Sequence, residues 1–158
     1  MDHSLKTGIT FGMTSGTITT VGLMVGLHSG THSRLAVLVG IITIAIADAF
    51  SDGMGIHLSE ESENRHSRKE IWLATLTTFL TKFLFALSFV IPVLVFELNT
   101  AIIVSVTWAM VILTALSLMI AAEKGARKFN VVVEHLAIAG AVVLITHFVG
   151  DFVGKSFN

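Results

Sequence analysis

The sequence predicts an all-α fold: a polytopic membrane protein with five transmembrane helices, forming a single domain over residues 1–158. Three observations carry that prediction. Of 158 residues, 53% are hydrophobic and only 13% are charged, against about 25% charged in ordinary soluble domains. Mean hydropathy is +0.83. Five apolar segments are each long enough to cross about 30 Å of hydrocarbon at about 1.5 Å per residue.

The first span covers about 8–28 and is the least apolar. Its start, MDHSLKTGITFGMTSG, lacks the basic, apolar and small-residue pattern of a cleaved signal and reads as a retained helix. Gly8, Gly12 and Gly16 form one four-residue row, and Gly22, Gly26 and Gly30 another. Such rows let a second backbone approach closely. They pack either against other helices of the same chain or across the axis of a symmetric dimer. The second span covers about 35–58, the third 71–96 with Pro92 late in it, the fourth 100–122 and the fifth 131–152. Pro92 predicts a kink whose freed carbonyl neighbouring helices re-satisfy.

The connections alternate in charge. Those at 60–70 and 123–130 carry Arg65, Arg68, Lys69, Lys124, Arg127 and Lys128, whereas those at 28–34 and 97–99 carry Arg34 alone. With five spans, Lys6 joins the basic side and Lys155 the other, giving seven against two. The positive-inside rule then places the N-terminus in the cytoplasm and the C-terminus outside or in a lumen, at the plasma membrane in a prokaryote. A net charge of −1 gives no footing for nucleic acid, and the absence of cysteine excludes disulfides and thiolate metal sites. No nucleophile–base set, phosphate loop or zinc motif stands out, so neither an enzyme nor a permanently bound cofactor is expected.

The informative residues are the charges inside the apolar segments. In AIADAFSDGMGIH (45–57), Asp48 and Asp52 lie at i and i+4, on one helix face. A lone aspartate at mid-membrane costs about 2.5–3.5 kcal/mol on insertion scales. Two held close also repel, so the pair must share a proton, meet a basic side chain or bind a divalent cation. Lys82, eleven residues into the third segment, is the available base. It either pairs with them, balances charge during function, or snorkels to the interface. Gly53 and Gly55 flank Met54 and weaken the helix there. Carboxylate, freed carbonyl and thioether together suit a divalent transition ion, while packing is the plainer role for Met54. The last segment adds Glu134, His147 and Asp151, the latter two again at i and i+4. Such a pair relays protons, ligates metal or merely caps a helix.

The stretches GITFGMTSGTITTVGLMVGL (8–27) and LVGIITIAIADAFSDGMGIHLSEES (38–62) resemble the first two helices of the vacuolar iron transporter family. FALSFVIPVLVF (85–96) is similar to that family's third helix, and LAIAGAVVLITHFVGDFVG (136–154) to its last. The resemblance implies a dimer of five-helix subunits that moves Fe²⁺, and often Mn²⁺, out of the cytosol against protons, along a path lined by the first two helices. The chain departs from the family pattern at identifiable positions. Ser15 stands where the family has an aspartate, Asp52 where it has a methionine, and Ile44 where it has a glutamate. The cytosolic metal-collecting helices are replaced by about a dozen residues. Exchange of a thioether for a carboxylate favours harder ions such as Mn²⁺, Mg²⁺ or Ca²⁺.

Residues and resemblance together lead to a homodimer, joined through the glycine-rich first helix, that exports Fe²⁺ or Mn²⁺ by proton antiport. Asp48 and Asp52 hold the ion, Ser15, Thr19 and Met54 supply neutral ligands or line the path, and Lys82, Glu134, His147 and Asp151 couple protons or charge. Two other readings stand beside it: a non-transporting membrane module with a structural Asp/Lys cluster, and a transporter of another solute.

Overall fold

A computed structural model describes residues 3–157, apart from the side chain of Lys124, one of the counted basic residues. Among the described residues the chain is helical, without strands. The elements are α1 (His3–Thr31), α2 (Arg34–Ser62), α3 (Arg68–Ser88), α4 (Val90–Val95), α5 (Leu98–Lys124) and α6 (Lys128–Phe157). Five spans are long and apolar enough to cross a membrane, α3 and α4 together forming the third. This is an integral membrane protein, and its helices run several residues past the apolar segments that predict them.

Each break has a local cause. His32 adopts a left-handed conformation (φ 51°) between α1 and α2, and the Ser33 hydroxyl then caps α2 by accepting from the Ala36 amide. The Ser67 hydroxyl and Glu70 carboxylate form a reciprocal capping box at the start of α3. Gly125, at φ 61°, ends α5, and the following amide of Ala126 reaches back to Ala121 O at 3.0 Å. That is the helix end glycine favours, since any side chain there would be strained. Pro92 does more than kink the third span. It lacks the amide that would bond Ser88 O, and the helix breaks at Phe89, whose own amide turns to Ala86 O at 3.2 Å.

The helix α1 is the hub, packed by α2, α3, α5 and α6. Half of its apolar window is buried, against 6% for α6. Its two glycine rows explain how so many helices reach it. The first row fits α3, with Gly8 against Ala74, Gly12 against Thr78 and Gly16 against Lys82. The second fits α6, with Gly22 against Val142, Gly26 against Thr146 and Gly30 against Gly150. Both partners advance four residues for each four of α1, so the packing is parallel and in register. Both rows therefore pack against helices of the same chain. Threonines keep α1 compatible with the bilayer by bonding carbonyls one turn back, as Thr10 does to Lys6 O and Thr14 to Thr10 O, both at 2.8 Å. At the N-terminal end an ion pair joins Lys6 to Glu123, and at the other end Arg34 donates to Phe96 O at 2.8 Å.

A Cβ added at Gly12 would lie 2.7 Å from the backbone oxygen of Thr78, whereas one at Gly55 meets nothing within 4 Å. Gly12→Ala is expected to cost about 1–3 kcal/mol by forcing α1 from α3. Gly55→Ala leaves stability equal or raises it. Thermal unfolding of the two variants side by side checks this.

Candidate functional site

The site forms where α1, α2 and α3 meet, near the middle of each of the three spans. On α2, Val37, Ile41, Ala45, Ala49 and Gly53 make the buried stripe. Asp48 and Asp52 lie at its edge, one turn apart, and so face the neighbouring helices at reduced exposure. On α3 the buried stripe is Ile71, Ala74, Thr78, Lys82 and Ala86. Gly16 allows the Lys82 backbone and the root of its side chain to lie against α1, where any side chain at position 16 would collide. Its neighbour Ser15 is thereby carried to the same point.

The Lys82 side chain is 1% exposed. Its ammonium donates to Ser15 Oγ at 2.9 Å and to Asp52 Oδ2, with which it forms an ion pair. It also lies 2.6 Å from Asp48 Oδ2. Ser15 donates in turn to Asp52 Oδ2 at 2.6 Å. The two carboxylates are not equivalent. Asp52 accepts from both the ammonium and the hydroxyl. Asp48 Oδ2 has the ammonium alone, at 2.6 Å. Asp48 also lines an open groove of about 650 Å³ between α1 and α2, walled by Leu23, Leu27, Val39, Thr43 and Ile44. Counted as ions, two carboxylates and one ammonium leave one negative charge. The cluster holds a cation now, a tethered one, and the carboxylate with fewer partners, Asp48, lines the groove.

Of the residues singled out in sequence, Ser15, Asp48, Asp52 and Lys82 come together. Snorkelling of Lys82 is corrected: the ammonium is enclosed, with two carboxylates in reach. Thr19 lies one turn above Ser15, and its hydroxyl donates to Ser15 O at 2.8 Å, steadying the helix rather than reaching the cluster. Met54 is corrected as a ligand beside the aspartates. It is 58% exposed and lines a separate cavity with Phe50, His57 and Trp72. The reason is geometric, since two residues along a helix is about 200° of rotation.

The α6 residues are also elsewhere, because α6 packs on α1 and α5. Glu134 is exposed. His147 and Asp151, read as a relay, a metal pair or a helix cap, have separate partners: His147 Nδ1 lies 2.6 Å from Ser29 Oγ, and Asp151 pairs with Lys155 at 2.7 Å. Among the described residues, no three His, Asp or Glu side chains converge on one point. Sequence reasoning missed the Ser29–His147 and His57–Thr75 bonds, which join positions 118 and 18 residues apart and leave no local signal.

Lys82→Met removes the ammonium and strands two carboxylates, and is expected to cost about 3 kcal/mol. Adding Asp48→Asn and Asp52→Asn removes the stranded charges and should recover most of that loss. Unfolding of the single and triple variants in one detergent reads both steps.

Residues 7–72 match the model of the VIT family, a stretch that contains most of α1, the whole of α2 and the first residues of α3. No curated protein and no solved structure shows a match. The match covers Ser15, Asp48 and Asp52, and Lys82 lies beyond it. The two helices that hold the carboxylates and line the groove are thus similar to the VIT family, in agreement with the resemblance to vacuolar iron transporters.

Proposed function

We propose that this chain is a membrane transporter that carries a divalent metal ion, Fe²⁺ or Mn²⁺, out of the cytosol in exchange for protons. One observation carries the proposal. A pair of carboxylates sits at mid-membrane, one of them opening onto a groove between α1 and α2, within the stretch matched by the VIT family. Buried ionisable groups are costly in a bilayer, and those that face a cavity mark ion paths.

Asp48 is the entry ligand, because it faces the groove and has the ammonium as its one partner. Asp52, held by Ser15, is the fixed ligand. An arriving cation displaces the Lys82 ammonium from the oxygens it now occupies, and the ammonium returns when the cation leaves. Protons take the carboxylates on the return step. Two carboxylates and a hydroxyl are hard oxygen donors and favour Mn²⁺ over a softer ion. The N-terminal, basic end faces the cytosol, following the distribution of lysine and arginine. A second copy seated over the groove encloses the path, and the apolar wall of Leu23, Leu27 and Val39 is the surface for it. Nothing in this mechanism requires an enzymatic step.

A second reading has one observation in its favour: the ammonium already fills the seat. In that reading Asp48, Asp52 and Lys82 are a structural ion cluster and no ion moves. The two separate on the natural protein. If the carboxylates are a cation site, Mn²⁺ takes the seat from the ammonium and raises the melting temperature, by linkage. A structural cluster leaves it unchanged.

The direct test is flux into proteoliposomes with Fe²⁺, Mn²⁺ and Mg²⁺ compared and internal pH recorded. Metal uptake with opposing proton movement is expected, lost in Asp48→Ala and in Asp52→Ala while the protein stays folded. Flux retained by the double alanine variant overturns the assignment.

A further inference from the structure

A second site lies on the opposite side of α2, facing lipid near the basic end of the bundle. Phe50, Gly53, Met54, His57, Trp72 and Phe79 line a cavity of about 450 Å³ between α2 and α3. A cleft at Arg68 and Lys69 opens beside it and shares Trp72 and Leu76 with it. Cavity and cleft form one groove along α3. From Arg68 to Phe79 the helix rises about 16 Å, close to one leaflet of a hydrocarbon core about 30 Å thick.

The groove is graded in polarity. At its mouth Arg68 and Lys69 are exposed, and neither has an ion-pair partner among the described residues. The adjacent carboxylate, Glu70, is held by the amide and hydroxyl of Ser67, at 2.7 Å each. One turn deeper, the Trp72 indole N–H has no acceptor among the described residues. The other tryptophan differs, since Trp108 Nε1 donates to Ser88 Oγ at 3.2 Å. Below Trp72 the lining is aromatic and aliphatic. The wall is braced from behind. Thr75 Oγ1 donates to Ile71 O at 2.8 Å and so accepts from His57 Nδ1–H at 3.0 Å, which fixes the imidazole edge-on to Trp72 with centroids 4.8 Å apart.

We infer that this groove binds an anionic phospholipid of the leaflet at the basic end. Two unpaired cations meet the phosphate, the free indole N–H meets the glycerol ester carbonyl, and an acyl chain lies over Leu76, Phe79 and Phe50. Each unpaired group of the groove matches one part of that molecule in order of depth. Basic clefts between helices at a membrane surface recognise such headgroups, and tryptophan prefers the same interfacial depth. The chain also braces the α2–α3 seam. Gly53 forms its back wall, with a Cβ there 3.5 Å from Thr75 O, and Gly53 follows Asp52 directly. The site stands independently of what the carboxylates carry.

The test uses the full chain carrying Trp108→Phe, purified in an uncharged detergent, so that Trp72 alone fluoresces. Phosphatidylglycerol and phosphatidylcholine with the same brominated acyl chains are titrated in, and quenching of Trp72 is read. Two unpaired bases are expected to favour phosphatidylglycerol by about twenty-five-fold, at roughly fivefold each. Arg68→Gln with Lys69→Gln, both at exposed positions, should abolish the preference while phosphatidylcholine quenching and the gel-filtration profile stay the same. Equal quenching by the two lipids, or a preference that survives in the double variant, overturns the inference. Inorganic phosphate at millimolar concentration should not displace the brominated lipid; if it does, the cleft is a free-anion site and the lipid assignment fails.

Discussion

The structure turns on one ammonium group. Lys82 lies almost wholly buried among Ser15, Asp48 and Asp52, in a protein that otherwise presents apolar surface to lipid. Without it, two carboxylates one turn apart on α2 would face each other uncompensated, at a depth where insertion scales assign each about 2.5–3.5 kcal/mol. With it, three helices are tied at a single point. Counted as ions, its two carboxylates outnumber its one ammonium. The second carboxylate, Asp48, also lines the groove between α1 and α2.

The geometry that makes the tie possible is set by residues with no chemistry of their own. Gly8, Gly12 and Gly16 bring α3 against α1 so closely that backbone meets backbone, and Lys82 is delivered over Ser15 as a result. The second row, Gly22, Gly26 and Gly30, docks α6 in the same way and gives α1 its central place. In a bilayer, where the hydrophobic effect does not drive helices together, close approach and buried polar contacts are the available sources of association. This chain uses both on the same helix, and the polar contact depends on the close approach.

Much of this was legible in the sequence, and what was not has physical reasons. Composition and five apolar segments predict the all-α membrane fold. The i, i+4 spacing of Asp48 and Asp52 places both carboxylates on one face, and Lys82 is the base within the apolar segments. The glycine rows were visible, but their partner was not, since a row of small residues fits a helix of its own chain as well as one from another copy. Met54 could have been set aside by helical rotation alone. For His147 and Asp151 the spacing was right and the partners were wrong. Lys155 stands at the same i, i+4 distance from Asp151, and Ser29 comes from a helix far along the chain. The break at Phe89 exceeded the expected kink because Pro92 removes an amide and crowds the preceding turn.

The central claim is that Asp48 and Asp52 form a seat that a free cation can take from Lys82. Its most direct measurement is the binding of Mn²⁺ to the purified protein, followed by the loss of the free-ion electron paramagnetic resonance signal. The account predicts saturable binding by the natural sequence and none by the Asp48→Asn/Asp52→Asn variant. Binding that is the same in both proteins, or no binding by the folded natural protein, would contradict it and leave the cluster as a structural ion pair.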